Sequence, residues 1–154
     1  MKSFAFFTLC AVALLAGCDS MSSRVHDRFS AVPPQTRTFA ADRRAVFAAG
    51  QLAVKNLELT VGHTSFAKGL IEAYAPIRPG DAIHDTRQTS LRINLTETEG
   101  GTEVALLVTD DTEGGYPWGA SQQALREHSL YEMYFSALQQ VLLENGTIKA
   151  PEKP

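Results

Sequence analysis

The stretch LRINLTETEGGTEVALLV, residues 91–108, decides the fold. Apolar residues alternate with polar ones in both of its halves, at Leu91, Ile93, Leu95, Val104, Leu106 and Val108. Strict alternation places the apolar side chains on one face of a strand, as in a sheet with one buried face. The pair Gly100-Gly101 separates the two halves, which is typical of a tight turn. The stretch therefore predicts an antiparallel hairpin.

Three stretches before the hairpin also have the character of strands: 36–40, 59–63 and 70–75. In the second, Leu59, Val61 and His63 share one face, which favours a core or edge position for His63. In the third, the residues on one side are Ile71, Ala73 and Ala75.

Two segments have helical spacing instead. Asp42 is a suitable N-cap for a helix that ends near Asn56, and its stripe of mostly small residues consists of Val46, Ala49, Gly50, Ala53 and Leu57. A second helix is predicted from Ser121 to Glu144, ending at Asn145-Gly146, with His128 on its polar side. Its apolar stripe consists of Tyr131, Tyr134, Phe135, Leu138, Val141 and Leu142.

The predicted fold is α+β, an antiparallel sheet of about four strands with two helices packed on one face. A chain of 154 residues, 44% of them hydrophobic, suits one such domain, which we assign to 38–147. The formal net charge is −3 and the basic residues are scattered, with only Arg43-Arg44 adjacent. This distribution excludes the concentrated basic patch that nucleic-acid binding requires.

The N-terminus has the pattern of an export signal. Met1-Lys2 supplies a positive charge, and the uncharged run from Phe4 to Ala16 is too short to span a bilayer. The residues that follow, Leu15-Ala16-Gly17-Cys18, resemble the lipobox of bacterial lipoproteins. The alternatives are a plain secretory signal and an N-terminal core helix that contains a cysteine.

The lipobox resemblance implies that 1–17 is a signal peptide removed before Cys18, whose sulfur carries a diacylglycerol. Cys10 is then discarded, which leaves no disulfide. Asp19 resembles the residue that retains enteric lipoproteins in the inner membrane, and the outer membrane is the alternative. The chain would face the periplasm, with 18–37 as a flexible tether and 148–154 as a disordered tail.

The domain has a resemblance of its own, carried by the passage DRRAVFAAGQLAVKNLELTV, the strand KGLIEAY and the amphipathic last helix. Over about residues 38–146 this order is similar to the small α+β domains of bacterial envelope lipoproteins, of the kind found in BamC of the barrel assembly machine. The resemblance implies a non-enzymatic accessory or scaffold module that acts through protein contacts, as part of an envelope complex.

No catalytic signature is present, and we expect no enzyme activity, no cofactor and no metal. The sequence lacks G-x-S-x-G, HExxH, the phosphate loop and the EF-hand pattern. Asp81, His84 and Asp85 form either a zinc-binding loop or a solvated loop, and the second is favoured. Asp110-Asp111 with Glu113 form either an acid/base or calcium site or a charged turn that discourages edge pairing, and the second is favoured.

One loop stands out because Tyr116-Pro117-Trp118 contains the only tryptophan of the chain. An exposed Tyr/Trp pair is a common anchor for a partner or a glycan. The alternative is that Trp118 folds back over the end of the core. A second hypothesis for function is accordingly a periplasm-facing module that binds a small ligand or glycan through the sheet face or the Trp118 loop.

Overall fold

The structure is a computed structural model that describes residues 31–80, 86–113 and 120–148. Its elements are β1 (Gln35–Phe39), α1 (Arg43–Asn56), β2 (Thr60–Ser65), β3 (Leu70–Tyr74), β4 (Thr86–Thr98), β5 (Gly101–Glu113), β6 (Ala120–Ala124) and α2 (Ser129–Glu144). All of them belong to the unit Val32–Pro154. Strand β1 begins inside the predicted tether, and Ile148 of the predicted tail packs against the core. The folded region therefore includes residues on both sides of 38–147.

The predicted hairpin is confirmed as β4 and β5, which pair from Thr98 and Gly101 at the turn to Thr86 and Glu113 at the far end. The turn consists of two residues, Glu99 and Gly100, because Thr98 pairs directly with Gly101. Gly101 has a φ of 128°, and a Cβ there would overlap the Phe39 carbonyl oxygen. Only glycine fits this position.

The sheet is antiparallel throughout, as predicted, but it has six strands rather than about four. Its order is β1-β5-β4-β3-β2, and β6 also pairs with β5. Strand β1 covers residues 102–106 of β5, while β6 covers residues 109–113. Two strands therefore share one edge of β5.

Val108 lies between these two partners of β5, and other groups complete its hydrogen bonds. The Leu125 N–H donates to the Val108 carbonyl oxygen at 2.9 Å, and the Val108 N–H donates to the Tyr131 hydroxyl at 3.1 Å. The same hydroxyl donates to the Leu125 carbonyl oxygen at 2.7 Å. A tyrosine of α2 thereby closes the gap in the edge.

The prediction that the last helix begins at Ser121 is wrong, since α2 begins at Ser129 and residues 120–124 form β6. The apolar stripe starts only at Tyr131, so the preceding residues have no apolar face for a helix to bury. The free edge of β5 offers them backbone hydrogen bonds instead. His128 is the N-cap of α2, not a residue of its polar side, and its Nδ1 accepts from the Leu130 N–H at 3.2 Å.

The charged turn predicted at Asp110-Asp111 is also wrong. Both residues lie inside β5, paired with β4 on one side and with β6 on the other.

His63 of β2 is exposed, next to a shift in the β2–β3 register between Val61 and Thr64. Of the two positions considered for it, the edge is the observed one, because β2 is the last strand in the order.

Both helices bury one side against the sheet and each other. The side chain of Asp42 caps α1 by accepting from the Ala45 N–H at 2.9 Å, as predicted. The buried residues of α1 are Val46, Phe47, Ala49, Gly50, Ala53 and Val54. Those of α2 are the six predicted ones, Tyr131, Tyr134, Phe135, Leu138, Val141 and Leu142. Gly146, at a φ of 65°, provides the left-handed turn after α2. The α+β class with two helices is confirmed.

The helices meet where Gly50 of α1 faces Tyr134 of α2. A Cβ at Gly50 would lie 2.9 Å from the Tyr134 hydroxyl oxygen and 3.1 Å from Cδ1 of Ile71. Tyr134 is fully buried, and among the described residues its hydroxyl has no hydrogen-bond partner. Burial raises the pKa of the Tyr134 phenol well above its ordinary value.

Candidate functional site

The candidate site lies on the face of the sheet that points away from the core. In each of β4 and β5 the buried apolar side chains occupy alternate positions and point into the core. The side chains at the intervening positions are mostly exposed or half-buried. The strand register groups these outward side chains across β3 to β6. We call this surface the open face: Glu72, Tyr74, Gln88, Ser90, Arg92, Leu107, Thr109, Asp111 and Gln122.

A row of four hydrogen-bonded side chains crosses the open face. The Ser90 hydroxyl donates to Asp111 Oδ2 at 2.8 Å, and the Gln122 amide donates to Asp111 Oδ1 at 2.6 Å. Ser90 and Thr109 lie 2.5 Å apart, oxygen to oxygen. Since a carboxylate only accepts, the Ser90 proton is committed to Asp111, and the Thr109 hydroxyl must donate to Ser90. The row joins β4, β5 and β6.

A cavity of about 450 Å³ opens beside this row and is called the main cavity. The described residues that line it include Ile77, Thr86, Gln88, Asp111, Glu113 and Gln122. A smaller cavity of about 180 Å³, next to Tyr74 and Arg92, shares Asp111 and Gln122 with it. The volume of the main cavity falls in the range of small-molecule sites, about 300–1,000 Å³.

A wider depression of about 730 Å³ lies between β1 and the end of α2, where Phe39 and Ile148 contribute apolar surface. Arg37 is its one charged lining residue among those described, and the Arg37 guanidinium already binds both Glu132 carboxylate oxygens at 2.7 Å. More polar side chains line the main cavity, two of them carboxylates, so we take it as the candidate site.

The predicted lipidation and sorting residues, Cys18 and Asp19, lie outside the described residues, as does the predicted signal peptide 1–17. So does the predicted partner-binding loop Tyr116, Pro117 and Trp118. The residues that flank the undescribed range 114–119, Glu113 and Ala120, both line the main cavity.

The choice between a zinc-binding and a solvated loop at Asp81, His84 and Asp85 falls outside the described residues. His84 and the two neighbouring aspartates lie in the undescribed range 81–85. His63 is exposed and His128 caps α2. Across 31–80, 86–113 and 120–148, no group of three or more His, Cys, Asp or Glu residues is placed to hold a metal ion.

The partners of Asp111 were not found from the sequence. Ser90 and Gln122 become neighbours of Asp111 only through the register of three strands. No alternation marks this part of β5, because residues 109–113, TDDTE, are all polar. The sequence therefore predicts neither the full length of β5 nor what faces Asp111.

No family model matches the sequence, and no curated protein is detectably similar to it. In the described ranges neither helix combines the length and the apolar character needed to cross a bilayer.

Proposed function

We propose that this protein is a bacterial lipoprotein whose α+β domain is a non-enzymatic accessory or scaffold module of the cell envelope, acting through protein contacts. The anchor rests on Leu15-Ala16-Gly17-Cys18, the pattern that resembles a lipobox. The binding role rests on one observation, the open face of the sheet, which the helices of the described domain leave exposed.

The proposed location is the periplasmic side of a membrane, held by lipid on Cys18. Asp19 favours the inner membrane by its resemblance to the retention signal of enteric lipoproteins, with the outer membrane as the alternative. The resemblance to the α+β domains of envelope lipoproteins favours an envelope protein complex as the partner.

The anchor is tested by replacing Cys18 with serine and following the chain in membrane fractions. We expect the Cys18→Ser variant to keep its signal peptide and to lack the added lipid mass. Cys10→Ser is the matched control, because Cys10 lies in the segment that would be removed, and this variant should be lipidated normally. A Cys18→Ser chain with the mass and membrane partition of the wild type would refute the anchor.

The binding role is tested with photo-crosslinking residues on opposite sides of the domain. Arg92 and Asn94 are exposed on the same side of β4 as the open face, whereas Lys55 and Glu144 are exposed on the helices. We expect discrete adducts with envelope proteins from the first pair and few from the second. Equal labelling from both pairs, or labelling from the helices alone, would contradict the proposed face.

A second candidate function, a small-ligand or glycan-binding module, is favoured by the main cavity. Its volume and its mixture of carboxylate, amide, hydroxyl and aliphatic groups suit a small polar molecule. Binding and scaffolding are separable, because ligand binding at the main cavity is measurable without any protein partner.

A further inference from the structure

The polar groups that line the main cavity are mostly hydrogen-bond acceptors, and the two glutamines show why. The Gln122 amide nitrogen is committed to the Asp111 carboxylate, and the Gln88 amide nitrogen donates to the Ala75 carbonyl oxygen at 3.0 Å. Carboxylate and carbonyl oxygens only accept, so the orientation of both amides is determined by chemistry. Both Oε1 atoms are left without a partner in the described ranges.

The charge of the cavity has one sign. Asp111 and Glu113 line it, and no lysine, arginine or histidine does so among the described lining residues. Arg92 belongs to the smaller neighbouring cavity, where its nearest carboxylate oxygen is on Glu72, at 3.9 Å. This lining favours a ligand that supplies donors, and a positive charge would be attracted by both carboxylates.

The rim also offers an aliphatic contact. Ile77 lines the main cavity and is 61% exposed, more than the other large hydrophobic residues of the described chain that lie at the surface. Covering Ile77 with a ligand's methylene groups would remove apolar surface from water, which is favourable. The site thus combines acceptors, negative charge and an aliphatic patch.

We propose that the main cavity binds a small organic cation of the alkylammonium class, such as a linear diamine or polyamine. Its ammonium groups would donate to Asp111, Glu113 and the free amide oxygens, while its methylene chain lies on Ile77. The inference rests on the second proposed function and names its ligand class. A bare metal ion fits less well, because Asp111 and Glu113 are the only carboxylates among the described lining residues and no third His, Cys, Asp or Glu of the described chain joins them as a ligand.

The test is calorimetric titration of the whole chain in detergent with putrescine, and in parallel with the butanediol of the same chain length. The diol has donors at the same spacing but no charge. We expect putrescine to bind, the diol to bind at least about tenfold more weakly, and added salt to weaken putrescine binding. Spermidine should bind at least as tightly as putrescine, because it carries one more ammonium group.

Variants locate the site. Glu113→Gln and Asp111→Asn should each weaken putrescine binding by about tenfold or more, since each removes a charge-assisted hydrogen bond. Glu103→Gln is the control, because Glu103 lies on the same strand and lines none of the cavities described above. Glu113 makes no side-chain bond within the described region, so its variant remains informative even if Asp111→Asn unfolds the sheet.

Several outcomes would overturn the inference. Equal affinity for the diol would show that charge is not recognised, and an equal loss in Glu103→Gln would place binding elsewhere. Calcium that displaces putrescine would indicate a metal site, and tighter binding of a lysine-containing peptide would identify a partner protein as the source of the ammonium group. If only neutral ligands bind, the ligand-binding function stands and the cation class fails; if nothing binds, both fail.

Discussion

Replacing Gly50 with alanine is expected to destabilise the domain through one atom of Tyr134. The added Cβ would lie 2.9 Å from the Tyr134 hydroxyl oxygen and 3.1 Å from Ile71 Cδ1. Relaxed contacts between non-bonded carbon atoms are about 3.5–4.0 Å long. Tyr134 is enclosed on all sides, so its ring has little room to withdraw.

Two opposing terms determine the size of the effect. Alanine is favoured over glycine inside a helix by about 1 kcal/mol, whereas overpacking a core costs about 1–3 kcal/mol. We therefore expect Gly50→Ala to lower the free energy of unfolding by about 1 kcal/mol. Ala48→Gly, at an exposed position of the same helix, measures the propensity term alone and serves as the control.

Tyr134→Phe removes both the obstructing oxygen and a buried hydroxyl that has no described partner. An unsatisfied buried donor costs about 1–3 kcal/mol, so this variant should match or exceed the wild-type stability. In the Tyr134→Phe background, Gly50→Ala should become neutral or stabilising, because the overlap with the oxygen no longer exists. The expected coupling energy between the two positions is about 1–2 kcal/mol.

These four proteins, the wild type, the two single variants and the double variant, form a double-mutant cycle. The free energy of unfolding of each is measured by urea denaturation followed by far-ultraviolet circular dichroism. Independent sites add to within about 0.3–0.5 kcal/mol. If Gly50→Ala were equally destabilising in both backgrounds, the contact between these two residues would not be what makes glycine necessary. The contact with Ile71 would then be the remaining explanation.

Three further outcomes follow from single contacts. Because burial raises the pKa of Tyr134, the unfolded chain releases this proton above a pH of about 10 while the folded chain keeps it. The free energy of unfolding should therefore fall as the pH rises further, by up to about 1.4 kcal/mol per pH unit. Urea titrations at alkaline pH measure this slope, which should be less steep in Tyr134→Phe. Gly101→Ala should cost more than about 2 kcal/mol in the same assay, because φ is 128° and the Cβ overlaps backbone, whereas Gly100→Ala, with open space around it, should change little. His128→Ala should cost about 1 kcal/mol by removing the N-cap, and His128→Ser should restore it; equal stabilities would show that the cap contributes nothing.

The centre of the sheet could be predicted from the sequence because hydrophobic alternation reports burial. At Leu91, Ile93 and Leu95 the inward positions lie in the core, and the pattern is visible. At the far end of the hairpin the inward positions are Thr89 and Asp110, so the strands continue while the apolar signal stops. The predicted strands were therefore shorter than β4 and β5.

Strand β6 was missed for a related reason. Its five residues include no large apolar side chain, and their place in the sheet is determined by the edge of β5 that β1 leaves free. The candidate site depends on the same pairing, because the Gln122 amide reaches Asp111 only when β6 is in register. A carboxylate is visible in a sequence, but its cross-strand neighbours are not.

The shared edge of β5 has a consequence for the order of folding. The β4–β5 turn closes a loop of two residues, whereas β1 pairs Gln35 with Leu106 across most of the described chain. Loop-closure entropy favours the local pairing, so we expect β1 to dock late. Until then residues 102–106 present an unpaired strand edge, which a second chain would extend. The time that this edge stays open then governs how readily the chain associates with itself during folding.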